Sequence, residues 1–338
     1  MPATVAESAA DAGTQSRGIA RRTMPVVPFQ ALGPRLERPT RLRRSILSVP
    51  GSSEKMLAKA VTTEADEVLL DLEDAVAAAE KPTARAKIVE ALNTHDYSGK
   101  VVAVRVNDAA GPFQYRDVIE LVRGAGGHID TLVLPKVQHP GEVWFVEHLL
   151  SQLERDLGLD NRIGLELQFE SGAGVTFVSA IAEVTDRTEA LVFGPGDYAA
   201  DLGLDQTDIG RIERGYPGHQ WHYVLSRLVT TARAFGADAI DGPFADFRDE
   251  RGLRESAGLA RHLGIDGKWC IHPSQIPVVN HTFTPSATAV GRAREVLEAL
   301  AQAKSAGAGA TALDGAMIDE ATRRMAERIV ARGEAAGM

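Results

Sequence analysis

Residues 163–170 read Ile-Gly-Leu-Glu-Leu-Gln-Phe-Glu, and their pattern indicates what kind of sheet the chain forms. Apolar residues at odd positions alternate with Glu166, Gln168 and Glu170 at even positions, which is the period of a β-strand with two unlike faces. The apolar face suits contact with a layer of helices. The polar face then points into the interior of a closed sheet, with Glu170 at its upper rim.

Seven further stretches have the composition of short buried strands, and amphipathic helical patterns such as that of residues 221–235 lie between them. The eight predicted strands are residues 44–49, 67–72, 101–106, 131–135, 163–170, 190–193, 237–240 and 267–271. Eight alternating units predict an α/β fold, a (β/α)₈ TIM barrel. An open doubly wound sheet is the alternative, and it is disfavoured because no glycine-rich dinucleotide turn follows the first strand.

The pattern changes after residue 276, so the sequence divides into three predicted parts. Residues 1–40 form an N-terminal tail, largely disordered by composition and without the apolar core of a secretory signal, which favours a cytoplasmic protein. Residues 41–280 form the barrel, and residues 281–338 form a C-terminal helical lid or arm. In the arm, helices near 290–303 and 319–332 flank a flexible linker of small residues.

Composition excludes several classes of protein. The chain of 338 residues has a formal net charge of −9 and no basic stripe, so nucleic acid is not an expected partner. No apolar run approaches the roughly 18 residues of a membrane span. The single cysteine, Cys270, excludes an intramolecular disulfide framework and a multi-cysteine metal cluster.

Polar residues occur where the predicted strands end, which is where barrel enzymes place their reactive groups. Glu170 and Asp197 are the candidate metal ligands, because oxygen ligands without a Cys/His cluster favour Mg²⁺ over Zn²⁺. The alternative is that each carboxylate caps the helix that follows it.

Arg105 is predicted to point into the barrel, where a charged group needs a partner or a ligand. It could stabilise a developing oxyanion, or it could form a structural ion pair with Asp71 or Glu73. At least one member of the cluster Asp71, Glu73 and Asp74 could orient it.

Other polar residues favour structural interpretations. Lys81 and Arg85 are expected on a solvent-facing helix surface rather than on phosphate. His272 is expected to be structural rather than a general base, and Cys270 an inert buried thiol. His219 and His222 could bind metal, but a helix start is preferred.

The combined motifs resemble the citrate lyase β-subunit family, also called the HpcH/HpaI aldolase family, from residue 41 to about residue 332. The matching motifs are Arg44-Ser45 with Pro50-Gly-Ser52, Asp71-Leu-Glu-Asp-Ala-Val76 with Lys81 and Arg85, Val104-Arg-Val-Asn107, Leu134-Pro-Lys136, Phe169-Glu-Ser171, Phe193 to Gly203, Ile240 to Phe247 and Gly267 to Ile276. Many relatives read Ile-Glu-Thr at Phe169-Glu-Ser171, a departure that keeps the carboxylate. Within the family, Tyr216 to His222 and Ile240 to Phe244 look most like malyl-CoA and β-methylmalyl-CoA lyases.

The resemblance implies a (β/α)₈ barrel that holds Mg²⁺, or alternatively Mn²⁺, on Glu170 and Asp197. It implies a carbon–carbon lyase that reversibly cleaves L-malyl-CoA or β-methylmalyl-CoA to acetyl-CoA or propionyl-CoA and glyoxylate, with coenzyme A as part of the substrate. The residues assigned to catalysis are Arg105 beside the thioester oxygen, Asp319 as acid/base across a subunit interface, Glu73 and Asp74. The residues assigned to substrate binding are Arg44, Arg105, Gly196, Asp197 and Pro273. A homotrimer or homohexamer is expected.

Two other functions stay open at this point. The same residues could hydrolyse malyl-CoA, because a thioesterase would hold the same metal-bound malyl group. The chain could also act like the citrate lyase β-subunit, as a citryl-CoA lyase within a larger complex.

Overall fold

A closed barrel of eight parallel strands forms the centre of residues 41–212 and 219–338, which are the residues that this computed structural model describes. The strands are β1 (Ser45–Pro50), β2 (Glu67–Asp71), β3 (Val101–Arg105), β4 (Thr131–Leu134), β5 (Gly164–Phe169), β6 (Thr188–Phe193), β7 (Asp238–Asp241) and β8 (Gly267–Cys270). Each strand pairs with the next, and β8 closes onto β1 with Lys268 opposite Ser45. The predicted barrel is confirmed, and the open doubly wound sheet was wrong.

Helices follow the strands and contact one another around the barrel. They are α1 (Glu54–Ala60), α2 (Lys81–Thr94), α3 (Gln114–Ala125), α4 (Pro140–Leu157), α5 (Gly172–Ala182), α6 (Pro195–Asp201), α7 (His222–Phe235), α8 (Glu250–His262) and α9 (Ile276–Phe283). α7 begins one residue after Trp221, which is buried, as the helix-start interpretation of this segment expected.

The two faces of β5 are distributed as the alternation predicted. Leu165, Leu167 and Phe169 belong to the apolar core between the sheet and the helices. Glu166 instead lies inside the barrel, where its carboxylate accepts a hydrogen bond from Thr131 and forms an ion pair with Arg43. A second, smaller apolar cluster fills the barrel interior with Ile46, Leu69, Ala103, Val133, Ala190, Val192, Ile240 and Trp269.

A C-terminal arm follows the barrel and consists of α10 (Ala287–Ser305), a hairpin of β9 (Thr311–Leu313) and β10 (Ala316–Ile318), and α11 (Glu320–Ala335). α11 packs along α10 around a small core that includes Val296, Leu300 and Ala326. Both arm helices lie where the sequence predicted them. The hairpin was missed, although Asp314-Gly315 is a strong turn signal: both residues have positive φ, 49° and 79°, as a two-residue hairpin turn requires.

Some sequence predictions fall outside the described residues. The disordered tail of residues 1–40 is one, and the segment Gly215 to Gly218 before His219 is another. The domain boundaries at 40/41 and 280/281 stay predictions. Among the described residues, no helix combines the length and the apolar character that crossing a bilayer requires.

Candidate active site

Polar side chains from β2, β4, β5 and β6 meet at the carboxyl ends of the strands, around the side chain of Lys136. Its Nζ lies 2.5 Å from Glu73 Oε1, 3.2 Å from Asp74 Oδ1 and 3.9 Å from Asp197 Oδ2. Its backbone N–H donates to Glu170 Oε1 at 2.8 Å. The fold therefore brings together two groups that the sequence analysis had described apart, Glu73 with Asp74 and Glu170 with Asp197.

Arg105 joins this cluster from the end of β3. Its Nε and Nη2 donate to the two oxygens of Asp71 at 2.8 and 2.6 Å, and Nη1 lies 3.0 Å from Glu73 Oε2. The guanidinium also lies over the Trp269 ring, 5.2 Å from its centroid. Burial disfavours the charged form, but the carboxylates of Asp71 and Glu73 outweigh it and raise the pKa of Arg105. The expected ion pairs are present, and they fix the guanidinium beside the cluster.

Glu170 is buried and accepts a hydrogen bond on each oxygen, one from Lys136 and one from Gln168 Nε2 at 2.8 Å. Burial and the nearby carboxylates of Glu73 and Asp197 raise the pKa of the Glu170 carboxyl well above its ordinary value. Ser171, not Glu170, caps α5 by accepting from Gly174 N. The capping alternative for Glu170 was therefore wrong.

Asp197 lies in the first turn of α6, and its side chain is about half exposed. Gly194 occupies the capping position of that helix, so the capping alternative was wrong for Asp197 as well. A carboxylate in a first helical turn is stabilised by the helix dipole, and here it remains accessible to a ligand.

The residues present fit a hard divalent cation. The backbone of Gly194 lies so close to Glu170 that a Cβ at this position would be 2.3 Å from Glu170 Oε2, so the glycine makes room for the carboxylate. In the parts of the chain that the structure covers, no three His, Cys, Asp or Glu side chains converge into a metal cage. Mg²⁺ does not require one, because it is commonly held by one or two carboxylates and completes its shell with water and substrate oxygens.

Asp319 lies away from this cluster. Its carboxylate caps α11 by accepting from Thr322 N and Ala321 N, and these hydrogen bonds lower the pKa of the Asp319 carboxyl. Farther along α11, Arg328 and Arg332 form ion pairs with Asp266, which directly precedes β8. α11 is thus held at the amino ends of the strands. Among residues 41–212 and 219–338, no hydrogen bond or ion pair joins Asp319 to the cluster of its own chain.

The other three residues assigned to substrate binding occupy different places. Arg44 precedes β1 at the amino end of the barrel and forms an ion pair with Asp66, 2.8 Å away. Because the cluster lies at the opposite ends of the strands, the predicted substrate-binding role does not fit Arg44. Gly196 adjoins Asp197 in α6, and Pro273 follows β8 at the same end as the cluster.

Two further predictions need correction, because Lys81 and Arg85 do not form a solvent-facing surface. Lys81 Nζ donates to the backbone oxygens of Leu72 and Glu73 at 2.9 Å. Arg85 is buried, with its guanidinium 2.7 Å from Asp117 and 2.6 Å from Glu120. Lys81 fixes the loop that carries Glu73 and Asp74 to the start of α2, and Arg85 fixes α2 to α3. The available signal was that Lys81 and Arg85 follow the acidic loop and are spaced by one helical turn, so that both lie on one face of α2.

The histidine and cysteine predictions hold. His272 Nδ1 accepts from Ser274 N at 3.1 Å, and its ring stacks on Phe247, so the residue is structural. Cys270 is fully buried, and burial raises the pKa of its thiol to about 12. His219 and His222 lie at the start of α7 with their ring centroids 5.9 Å apart, as the helix-start interpretation expected.

Comparisons with a family profile and with individual proteins agree on the family of this chain. The family profile described as HpcH/HpaI aldolase/citrate lyase matches residues 44–273. The L-malyl-CoA/beta-methylmalyl-CoA lyase of Rhodobacter capsulatus is 40% identical over 307 residues, which cover 88% of this chain and 96% of that protein.

Comparison with solved structures agrees with the sequence matches. A citrate lyase from Burkholderia xenovorans LB400 superposes with a TM-score of 0.77 at 22% identity, covers 88% of this chain and 93% of its own, and shares the fold. The protein CitE of Mycobacterium tuberculosis, in a complex with magnesium, acetoacetate and coenzyme A, has a TM-score of 0.66 at 30% identity. That match covers 86% of this chain and 97% of CitE.

Proposed function

Because the chain belongs to the HpcH/HpaI aldolase/citrate lyase family, we propose that it is a Mg²⁺-dependent carbon–carbon lyase acting on L-malyl-CoA or β-methylmalyl-CoA. The products are acetyl-CoA or propionyl-CoA and glyoxylate. The observation that carries the proposal is the 40% identity to a lyase of this specificity over nearly the whole of both chains. The family expected from the motifs is confirmed.

Glu170 and Asp197 would hold the metal ion, and their positions at the ends of β5 and in α6 support this assignment. When bound there, Mg²⁺ supplies Lewis-acid polarisation and a template for the two adjacent oxygens of a 2-keto acid. Glu170 is already oriented for this role, because Lys136 and Gln168 each fix one of its oxygens. Asp197 is free to turn toward a ligand because its side chain is about half exposed.

Arg105 would stabilise the enolate that forms on the acyl-CoA when the carbon–carbon bond breaks. Its guanidinium is buried, permanently charged and fixed by Asp71, so it requires little reorganisation as negative charge develops on the thioester oxygen. Glu73 and Asp74 would complete the polar wall of the site, with Glu73 in contact with both Arg105 and Lys136.

Asp319 of a neighbouring subunit would carry the proton to and from the α-carbon. One observation supports an intersubunit role: α11 is docked at the amino ends of the strands of its own barrel, away from the cluster at the carboxyl ends. In condensation Asp319 removes the α-proton, the enolate carbon attacks the aldehyde carbon of glyoxylate, and the alkoxide oxygen so formed takes a proton from water. In cleavage the hydroxyl group loses its proton to water, the carbon–carbon bond breaks, and protonated Asp319 gives its proton to the enolate carbon. A homotrimer or homohexamer would provide the neighbour, and a cytoplasmic location stays a prediction.

The proposal is tested with purified protein, Mg²⁺ and malyl-CoA, following glyoxylate with a carbonyl trap and free coenzyme A with a thiol reagent in the same sample. We expect glyoxylate to appear without free thiol. Thiol without glyoxylate would replace the lyase with a malyl-CoA thioesterase. Inertness toward malyl-CoA together with cleavage of citryl-CoA would replace it with a citrate-lyase-type activity.

A further inference from the structure

Lys136 has an unusual backbone conformation at the centre of the candidate site. Its φ is 53°, and among residues 41–212 and 219–338 only Asp314, in the turn of the arm hairpin, is another non-glycine residue with positive φ. The left-handed region is unfavourable for any residue with a Cβ, and glycine would adopt it without that penalty. Strain of this kind at a site of convergent charges indicates that the side chain has a function there.

The two halves of Lys136 contact different members of the cluster. Its backbone N–H is bonded to Glu170 at 2.8 Å, so the left-handed conformation aims the amide at a proposed metal ligand. Its ammonium contacts Glu73 at 2.5 Å and Asp74 at 3.2 Å, and it lies 3.9 Å from Asp197. One residue therefore contacts Glu73, Asp74 and Glu170 and lies close to Asp197.

The balance of charge shows why a cation is useful here. Four carboxylates form ion pairs with the side chains of Arg105 or Lys136, and a fifth accepts from the backbone N–H of Lys136. The carboxylates are Asp71, Glu73, Asp74, Glu170 and Asp197. A bound divalent cation still leaves the cluster one negative charge in excess, and glyoxylate is itself an anion. Loss of the ammonium would double that excess.

We propose that Lys136 is a positioning residue whose ammonium keeps Glu73 and Asp74 neutralised and off the metal, so that the open coordination positions remain available to an anionic 2-keto acid. This inference rests on the proposed function for the identity of the keto acid. Its effect on metal binding is independent of that identity. A cation beside a metal site lowers the affinity for the metal ion and raises the affinity for an anionic ligand. A purely structural lysine would support the binding of both or of neither.

The test compares three variants with the wild type. Lys136→Met removes the ammonium and keeps most of the stem, and Lys136→Arg keeps the charge. Lys59→Met removes the same charge from an exposed position of α1 and serves as the matched control. Mn²⁺ affinity is measured by electron paramagnetic resonance without substrate. Glyoxylate affinity is then measured by calorimetry at saturating Mg²⁺, and thermal unfolding reports whether each variant folds.

For Lys136→Met we expect Mn²⁺ affinity equal to the wild type or up to about tenfold tighter, and glyoxylate affinity at least about tenfold weaker. Lys136→Arg should stay within about threefold of the wild type in both measurements, and Lys59→Met should not differ from it. Parallel loss of Mn²⁺ and glyoxylate binding with a large drop in Tm would make Lys136 merely structural. Unchanged glyoxylate affinity in folded Lys136→Met would also overturn the inference. If wild-type protein does not bind glyoxylate, the proposed function fails, while tighter Mn²⁺ binding by Lys136→Met would still support the charge argument.

Discussion

At the scale of single residues, the absence of a side chain at Gly194 determines where the Glu170 carboxylate can lie. The two residues end neighbouring strands, and Gly194 N donates to Phe169 O at 3.0 Å. A Cβ on Gly194 would be 2.3 Å from Glu170 Oε2 and 2.5 Å from its Cβ, far inside van der Waals contact. The Glu170 carboxylate and the backbone that carries it would have to move, which disturbs the hydrogen bond from Gln168 Nε2.

We therefore predict that Gly194→Ala weakens Mg²⁺ binding by at least about tenfold, because a ligand displaced by an ångström loses productive geometry. Isothermal calorimetry with Mg²⁺ measures the effect. Gly258→Ala in α8 is the matched control, since a Cβ there meets nothing within 4 Å. Wild-type Mg²⁺ affinity in Gly194→Ala would show that Glu170 does not hold the metal.

Sequence reasoning succeeded for residues whose role depends on local pattern and was incomplete where partners come from distant strands. The alternation in residues 163–170 placed Glu166 and Glu170 correctly, because a strand's two faces are fixed by its own period. Arg85 was misjudged because its partners, Asp117 and Glu120, belong to the next helix along the chain. The reach of Lys136 to Glu73, Asp74 and Asp197 could not be derived for the same reason.

At the scale of secondary-structure elements, Asp319 at the start of α11 has two roles, one as a helix cap and one as the proposed acid/base, which sequence alone could not distinguish. The residue is an N-cap, with a reciprocal hydrogen bond from its backbone N–H to Thr322. It is also the proposed acid/base. Asparagine is as good an N-cap as aspartate but cannot accept a proton as a base, so one substitution distinguishes the two properties.

Asp319→Asn should reduce kcat by at least about 100-fold while changing the free energy of unfolding by less than about 0.5 kcal/mol. Steady-state kinetics and urea unfolding measure the two quantities. Asp319→Ala should lose the cap as well and cost about 1 kcal/mol. Full lyase activity in Asp319→Asn would remove the acid/base role.

The control for this prediction uses the proposal that Asp319 acts in the site of a neighbouring subunit. Refolding Asp319→Asn together with Glu170→Gln should recover part of the activity, because a mixed interface pairs an intact Glu170 with an intact Asp319. A mixture as inactive as its components would place Asp319 and Glu170 in sites of the same chain, or outside the reaction.

At the scale of the whole molecule, the two ends of the barrel contain different arrangements of charge. The carboxyl ends carry the candidate site, whereas the amino ends carry a buried network in which Arg43 contacts Glu67 at 2.9 Å, Glu166 at 3.2 Å and Glu189 at 2.5 Å. Asp238 lies 3.2 Å away on its other side. Burial raises the pKa values of Glu67 and Glu166 above their ordinary values, and it outweighs the opposing effect of Arg43. No local pattern predicts this network, because its members come from several different strands.

The buried carboxyls of this network should make the free energy of unfolding fall as pH rises. A carboxyl with a raised pKa holds its proton in the folded state after the unfolded chain has released it, so folding is favoured below the unfolded pKa of about 4.3 and progressively less above it. Glu166→Gln removes the ionisable group and keeps an oxygen for Arg43 and Thr131. The Tm difference between Glu166→Gln and the wild type should increase in favour of the variant from pH 5 to pH 8, measured by calorimetry. A difference that is constant with pH would show that Glu166 titrates normally.

Cys270, the only cysteine in the sequence, lies in β8 with no exposed surface, and its pKa is raised to about 12. Alkylating and disulfide reagents attack the thiolate, so the native barrel presents them with no reactive sulfur. In a reaction mixture that contains the folded protein, any thiol that such a reagent detects therefore belongs to released coenzyme. The same property makes covalent modification of this chain a record of unfolding, because Cys270 reacts only when the strand that closes the barrel has opened.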